Sequence, residues 1–522
     1  MDEILKRPRQ RFSFLTNLKL AESLRFHYVS SMHLHSFPLS LFRLGTIALL
    51  SCFSLSLSGH AKEKSPNVIL IFVDDMGWMD LTCQGSDFYK TPSIDRLAKE
   101  GMRFTNGYAA CAVCSPTRAA VQTGRYPHRL GVTDWIRSLF QRGNLGTPEK
   151  NPTEYVGGKN RKLLCPPNPF WMDSSEITIA EALSPKGYQT GYIGKWHLGD
   201  EAWYPENQGY AANFGGCDYG QPPSYFDPYN NPKHRHSTIR AGIHKLPGRK
   251  KGEYLTHREG DEAVGLIRKW KDQPFFLQVA HYAVHTPIQS IKEVADKYEG
   301  NEGKTQKNRS YAAMVESVDD STRDILAVLK ELKIDDRTMI IFTSDNGGLD
   351  RNNNPTDNAP LRSGKGYCYE GGIRVPFLVR WPGKVPSGKV SDTPVCSVDL
   401  FPTILAAAGI DLPKRPIDGL SLEGHLLSGG KKKLERKDLH WHFPHYRHAP
   451  GPYSIIRRDK WKMIKFWEGI YELYDLEKDL GETKNLAEAM PDKVRELDAA
   501  LLKRLKADGA KLPKPNPEYS GK

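Results

Sequence analysis

Pro66–Gly77, PNVILIFVDDMG, is an apolar run rich in β-branched residues that stops abruptly at two carboxylates and a glycine. A strand buried on both faces of a parallel sheet reads this way and delivers its polar groups at the carboxyl end. The same grammar recurs in Thr190–Gly199 (TGYIGKWHLG), Pro274–Pro287 (PFFLQVAHYAVHTP) and Arg337–Gly348 (RTMIIFTSDNGG). Between the last two, Tyr311–Leu332 spaces its apolar residues at helical intervals. Strands alternating with helices predict an α/β domain, a large, mainly parallel or mixed sheet between helices, with the site at the strand ends. The pattern continues to the helical VDLFPTILAAAG, giving a domain over residues 65–410. Beyond Asp411 come short alternating segments (YSIIRRDKWKMIKFW, YELYDL) and an amphipathic stretch from about Pro491 to Ala507. These predict a smaller α+β subdomain over 411–512 with an antiparallel sheet, and 513–522 as a loose tail.

Length and composition fit this picture. A chain of 522 residues can bury a large core, and 39% hydrophobic with 26% charged residues excludes fibrous and disordered classes. The one apolar segment near a terminus, Leu39–Leu57, is broken by Arg43 and precedes Gly59 and Ala61. It reads as a signal peptide within a leader of residues 1–61, with Met32 an alternative start, and it is too short and serine-rich for a good membrane span. An exported protein, periplasmic or extracellular, is expected; lipid anchoring at Cys52 is the weaker reading because the apolar run continues past it. Of the net charge of +13, residues 62–522 keep +9, which favours an anionic partner. The basic residues are dispersed and no recognition motif accompanies them, which argues against nucleic acid.

Asp74 and Asp75 would point to opposite faces of a strand, so both reach one ion only where the strand frays towards Gly77. Asp345 and Asn346, followed by two glycines, repeat the arrangement. Alone, either pair reads as an exposed turn. Together they make a hard, all-oxygen set suited to Ca²⁺, less to Mg²⁺, and not to zinc. Cys111 and Cys114 form a C-x-x-C pair that reads as a redox dithiol, a disulfide or half of a zinc site, but no further pair of this kind follows.

The segment Cys114–Arg125, CSPTRAAVQTGR, narrows the choice. Cys114, Pro116 and Arg118 spell Cys-x-Pro-x-Arg, and Thr123, Gly124 and Arg125 complete the longer signature. In this the chain resembles the type I, formylglycine-dependent sulfatases of the arylsulfatase A and N-acetylgalactosamine-6-sulfatase kind. Further motifs follow in family order over nearly all of the chain beyond the leader: VDDMG, GKWHLG, HTP, SDNGG, GKGYCYEGGIRVP and YELYDLEKDLGETKNLA. The resemblance implies an alkaline-phosphatase-like fold. It implies one Ca²⁺ held by Asp74, Asp75, Asp345 and Asn346 together with the modified side chain of Cys114. It further implies that a maturation enzyme oxidises Cys114 to formylglycine, and that Arg118, Lys195, His197, His285 and Lys365 serve the reaction.

A sulfate ester carries one negative charge, and charge grows on the leaving oxygen as the bond to sulfur breaks. Lys195, Lys365 and the metal are expected to hold the sulfate oxygens. A hydrated formylglycine attacks sulfur after losing a proton, for which Asp345 is the expected base, and His285 protonates the leaving oxygen. His197 then takes the proton of the second hydroxyl as sulfate is expelled.

His281, outside the motif, reads as a packing residue or pocket wall. The histidines of HWHFPHYRH (His440, His442, His445, His448) and the loop PYNNPKHRHSTIR with His234, Arg235 and His236 are expected at the rim of the cleft. The substrate class expected is a sulfated polysaccharide or glycosaminoglycan fragment. Two rivals remain: a phosphonate or phosphate monoester hydrolase on the same fold, and a calcium-dependent glycan-binding protein without catalysis.

Overall fold

The computed structural model describes residues 65–136, 149–234, 240–350, 355–447 and 451–521. The leader, Met32, Cys52, Arg235, His236 and His448 lie outside the described residues.

The apolar run before Asp74 is strand β1 (Asn67–Val73), buried at every position. Around it lie β2 (Met102–Phe104), β3 (Gln189–Gly194), β4 (Ala212–Phe214), β5 (Phe275–His281), β6 (Thr338–Ser344), β7 (Phe377–Arg380) and β8 (Lys389–Ser391). They form one eight-stranded sheet in the order β8-β2-β7-β6-β1-β5-β3-β4. All neighbours are parallel except those of β7, which runs against both β2 and β6. The sheet is therefore mixed, with a parallel centre.

Alternation along β1 explains the layering. Ile69, Ile71 and Val73 join one core with residues of two long helices, Leu255–Trp270 and Arg309–Glu331. Val68, Leu70 and Phe72 join the other with Ala119, Val121, Leu400 and Ile404. Side chains of period two thus feed helices on both faces, each fully buried one stabilising by about 1.5–3 kcal/mol. No helix among the described residues is long and apolar enough to cross a membrane.

A separate antiparallel sheet follows in the order β9 (Leu439–Phe443), β10 (Tyr453–Arg458), β11 (Trp461–Phe466) and β12 (Ile470–Asp475). Its outer face packs on the helix Pro491–Ala507 through Leu497, Leu501 and Leu505 against Ile456, Met463 and Leu473. The tail expected to be loose is tied down. Lys514 and Pro515 pair with Leu164 and Leu163. Asn516 Nδ2 then donates to the carbonyls of Gly158 and Arg161. These partners sit more than 300 residues away, so nothing local in PKPNPEYSGK announced them.

Candidate active site

The carboxyl ends of β1, β3, β5 and β6 meet at one place. Asp74 and Asp75 leave β1, and Asp75 takes a left-handed conformation, φ 63°. That strained turn lets adjacent side chains, which a regular strand would send to opposite faces, converge. Asp345 and Asn346 leave β6, the neighbour of β1. The Asp75 N–H donates to Asp345 Oδ1 at 3.2 Å, and Asn346 Nδ2 donates to Asp75 Oδ1 at 2.8 Å. A Cβ at Gly347 would stand 1.8 Å from the Gly371 carbonyl oxygen, so only glycine lets the chain leave the site at this point.

Cys114 begins a buried helix, Cys114–Thr123, on the other face of the sheet. Its Sγ lies 3.7 Å from Asp74 Oδ1. Ser115 fixes this helix start, its Oγ donating to the His197 carbonyl at 2.9 Å. Arg118, one turn on, donates from Nε to Asp345 Oδ2 at 2.9 Å, with Nη2 2.7 Å from the same oxygen. Its Nη1 donates to the Lys195 carbonyl at 2.6 Å.

Three cations thus face three carboxylates. Lys195, fully buried after β3, has Nζ 2.7 Å from Asp74 Oδ2. Lys365 has Nζ 2.6 Å from Asp75 Oδ1 and is placed by its N–H donating to the Gly348 carbonyl. His285 follows β5 with Nε2 3.6 Å from Asp75 Oδ2, while its Nδ1 lies 2.9 Å from the Thr286 carbonyl oxygen and donates to it in the neutral ring. His197, 2% exposed, also adopts positive φ, 62°, and its ring lies so close to Gly220 that a Cβ there would come within 2.9 Å of it. The ten residues that the family resemblance assigns to the site lie at or beside these strand ends.

Burial raises Asp74 well above the usual carboxylate range despite Lys195. Burial opposes ionisation of Asp75 as well, but His285 and Lys365 hold it below that range. Asp345 is likewise kept low, against burial, by Arg118 and Lys195. Burial pushes the Cys114 thiol up to about 12, so the unmodified side chain is a neutral thiol at ordinary pH. Burial also holds His285 down to about 3, leaving a neutral imidazole.

The cluster offers donor atoms to a cation. Asp74, Asp75, Cys114 and His285 each offer a ligand atom within 4.8 Å of the others. Asn346 Oδ1 is buried with no hydrogen-bond partner among the described residues, an acceptor left over in an otherwise satisfied turn. Leaving such an atom unpaired costs about 1–3 kcal/mol unless a cation or donor meets it.

Several expectations change. Asp345, read as the base, is occupied by Arg118; the carboxylate touching Cys114 is Asp74. His440 and His442 do not line the cleft. They lie on β9, buried, with His440 Nε2 3.5 Å from Asp508 and His442 Nδ1 2.7 Å from Ser454 Oγ. His281, in keeping with its reading as a packing residue or pocket wall, is buried with Nδ1 2.7 Å from Glu259 Oε2. Sequence reading missed the support beneath the ligands. The Tyr311 hydroxyl donates to Asp80 Oδ2 at 2.6 Å, and Asp80 accepts the Gly77 N–H at 2.7 Å, bracing the turn that carries Asp75. Asp80, five residues beyond Asp75 in the same loop, was the available signal.

The sulfatase family model matches residues 66–410, and a model for the C-terminal part of N-sulphoglucosamine sulphohydrolase matches residues 363–511. Human N-acetylgalactosamine-6-sulfatase is 36% identical over 388 residues, covering 72% of this chain and 68% of that protein. Human arylsulfatase A is 30% identical over 507 residues, covering 87% and 90%. A solved structure described as Ps i-CgsB in complex with k-i-k-neocarrahexaose aligns with TM-score 0.70 and 29% identity over 85% of this chain and 93% of that one. The motifs, the mixed sheet and these matches agree, and the chain belongs to the sulfatase family, hydrolases of sulfuric esters.

Proposed function

We propose that this sulfatase is exported and releases inorganic sulfate from a sulfated carbohydrate, using formylglycine made from Cys114 and one Ca²⁺. In this reading residues 65–410 form the catalytic part and 411–512 a C-terminal subdomain packed beside it. The observation that carries the reading is the meeting of Cys114 Sγ with Asp74 Oδ1 at 3.7 Å inside a ring of Arg118, Lys195 and Lys365. The relatives include one named for a sulfated amino sugar and one solved with a neocarrahexaose, which supports a carbohydrate substrate.

Asp74, Asp75, Asp345 and Asn346 would hold the ion. Their three carboxylates are already balanced by Arg118, Lys195 and Lys365, so a divalent ion supplies two positive charges to offset the monoanionic ester and the ionised nucleophile. The hydrated aldehyde at position 114 supplies an oxygen nucleophile with a second hydroxyl, which a serine would lack.

The chain's own groups then divide the work. Asp74 Oδ1, beside position 114, receives the nucleophile's proton. Arg118 fixes Asp345 and, through the Lys195 carbonyl, the backbone that carries Lys195 and His197. Lys195 and Lys365 face the ester oxygens. A bound anion favours protonation of His285, whose Nε2 then gives a proton to the leaving oxygen. His197 takes the proton of the second hydroxyl as sulfate departs.

The test compares sulfate release from defined sulfated saccharides and an aryl sulfate with turnover of the matching aryl phosphonate, in Ca²⁺ and after chelation. The reading expects calcium-dependent sulfate release that exceeds phosphonate cleavage. Preference for the phosphonate would replace it with the phosphoryl rival, and no turnover by fully converted protein would favour the glycan-binding one.

A further inference from the structure

One wall of the cleft has no part in the steps above. The Ile136 N–H donates to Ser115 Oγ at 2.8 Å, which fastens the segment Thr133–Ile136 to the residue next to Cys114. Asn168 stiffens the same segment: its Oδ1 accepts from the Asp134 N–H at 3.0 Å and its Nδ2 donates to the Trp135 carbonyl at 3.0 Å. The chain beyond β9 closes on it from the C-terminal side. His445 Nε2 lies 2.8 Å from Thr133 Oγ1. Arg447 donates from Nε and Nη2 to Asp134 Oδ2 at 2.9 and 2.6 Å, and its guanidinium sits 4.2 Å over the Trp135 ring.

This arrangement presents a cation. The Arg447 side chain is 26% exposed, so it reaches solvent while Asp134 and the Trp135 ring hold it. The aromatic face and the single carboxylate oxygen fix the plane of the guanidinium. Nη1 has no hydrogen-bond partner among the described residues, leaving one edge of the fork open. Asp134, which Arg447 holds, lies two residues before Ile136, whose N–H is bound by the residue next to Cys114, so the ion pair is tied to the reacting position through Ser115. An open guanidinium edge is matched by the paired oxygens of a carboxylate or sulfate.

We propose that Arg447, held on Trp135 by Asp134, is an additional anion subsite that takes a carboxylate or sulfate on the saccharide beyond the ester being cleaved. This rests on the sulfatase reading above and narrows its substrate class to saccharides with at least two anionic groups. Arg447 acts in binding and in placing the sugar; the reacting atoms belong to the Cys114 site.

The test measures kcat/KM of formylglycine-bearing protein on three matched saccharides: one with a single sulfate and no other charge, one that adds a neighbouring carboxylate, and one that adds a further sulfate. Wild type is expected to prefer one or both dianionic substrates by about 10- to 100-fold, mostly through KM. Whichever of the two it prefers names the group bound. Arg447→Gln should cut that preference at least tenfold. Arg447→Lys, which keeps the charge and loses the fork, should cut it several-fold; it carries the test if the Gln variant does not fold. Equal kcat/KM on all three substrates, or a preference unchanged in both variants, overturns the subsite and leaves the sulfatase reading standing. No sulfate release by wild type from any of them overturns that reading, and the subsite with it.

Discussion

Among the described residues two clusters offer metal-ligating atoms within 4.8 Å of one another: buried Asp74, Asp75 and Cys114 with half-buried His285 at the strand ends, and buried His128, His440 and Asp508 where β9 meets the chain after the Cys114 helix. By residue type alone, two histidines and an aspartate make the better metal site. Their surroundings say otherwise. Asp508 Oδ2 faces His128 Nε2 at 2.9 Å and accepts Arg504 Nε at 2.9 Å, while Arg129 Nη2 lies 2.5 Å from Oδ1. A cation there would have to displace two guanidinium groups from the one carboxylate. At the strand ends the buried Asn346 Oδ1 is still unpaired, and Asp75 and His197 are held at positive φ. Buried polar atoms without a partner occur in both clusters; what separates a site of chemistry from a clasp here is the strained backbone of the ligand turns against a carboxylate already held by two guanidinium groups.

The largest effect that sharpens this contrast is on turnover. Cys114→Ala should lower kcat by about 10⁴-fold or more while the protein still folds, whereas His440→Gln should leave kcat within about twofold. Sulfate release under saturating substrate checks both; comparable losses would erase the distinction. Next is stability. Arg118→Met removes the partner of buried Asp345 and should cost about 3–5 kcal/mol, read by urea unfolding in chelator, with much of the loss returned by Ca²⁺.

The clasp should show itself through pH. Burial holds His440 down to about 4 in the folded chain, against 6.5 for a free histidine. The unfolded chain takes up that proton first as pH falls. The stability of the neutral buried form is therefore complete above about 6.5 and is lost between there and about 4, by about 3 kcal/mol. His440→Gln should flatten that slope; an unchanged slope would mean other groups set it. Smallest is the ligand effect: Ca²⁺ at about 100 times its Kd should stabilise the protein by about 2.7 kcal/mol, and Asp508→Asn should leave this increment intact.

How far each region was legible follows from sequence distance. The strand-end site could be read because its ligands come as adjacent pairs, Asp74 with Asp75 and Asp345 with Asn346, each closing an apolar run. The parallel centre of the sheet followed from the same runs. The clasp could not be read: Asp508 is 380 residues from His128, and no local pattern joins them. The HWHFPHYRH string suggested the cleft for all its histidines, but alternation along β9 turns His440 and His442 to one face, towards Asp508 and Lys511, away from Cys114. Which carboxylate neighbours position 114 was hidden for a related reason: sequence gives which carboxylates gather, not which of them Arg118 contacts or which lies against Cys114.

The central claim is that the strand-end cluster acts on sulfate esters only once Cys114 has been converted. The most direct measurement is sulfate release from a defined sulfated saccharide by protein made with and without the formylglycine-generating enzyme, with conversion at position 114 quantified by mass spectrometry of the same samples. The account predicts release in proportion to the converted fraction and none from the thiol form. Equal release from unconverted protein, or none from fully converted protein across the saccharide panel, would contradict it.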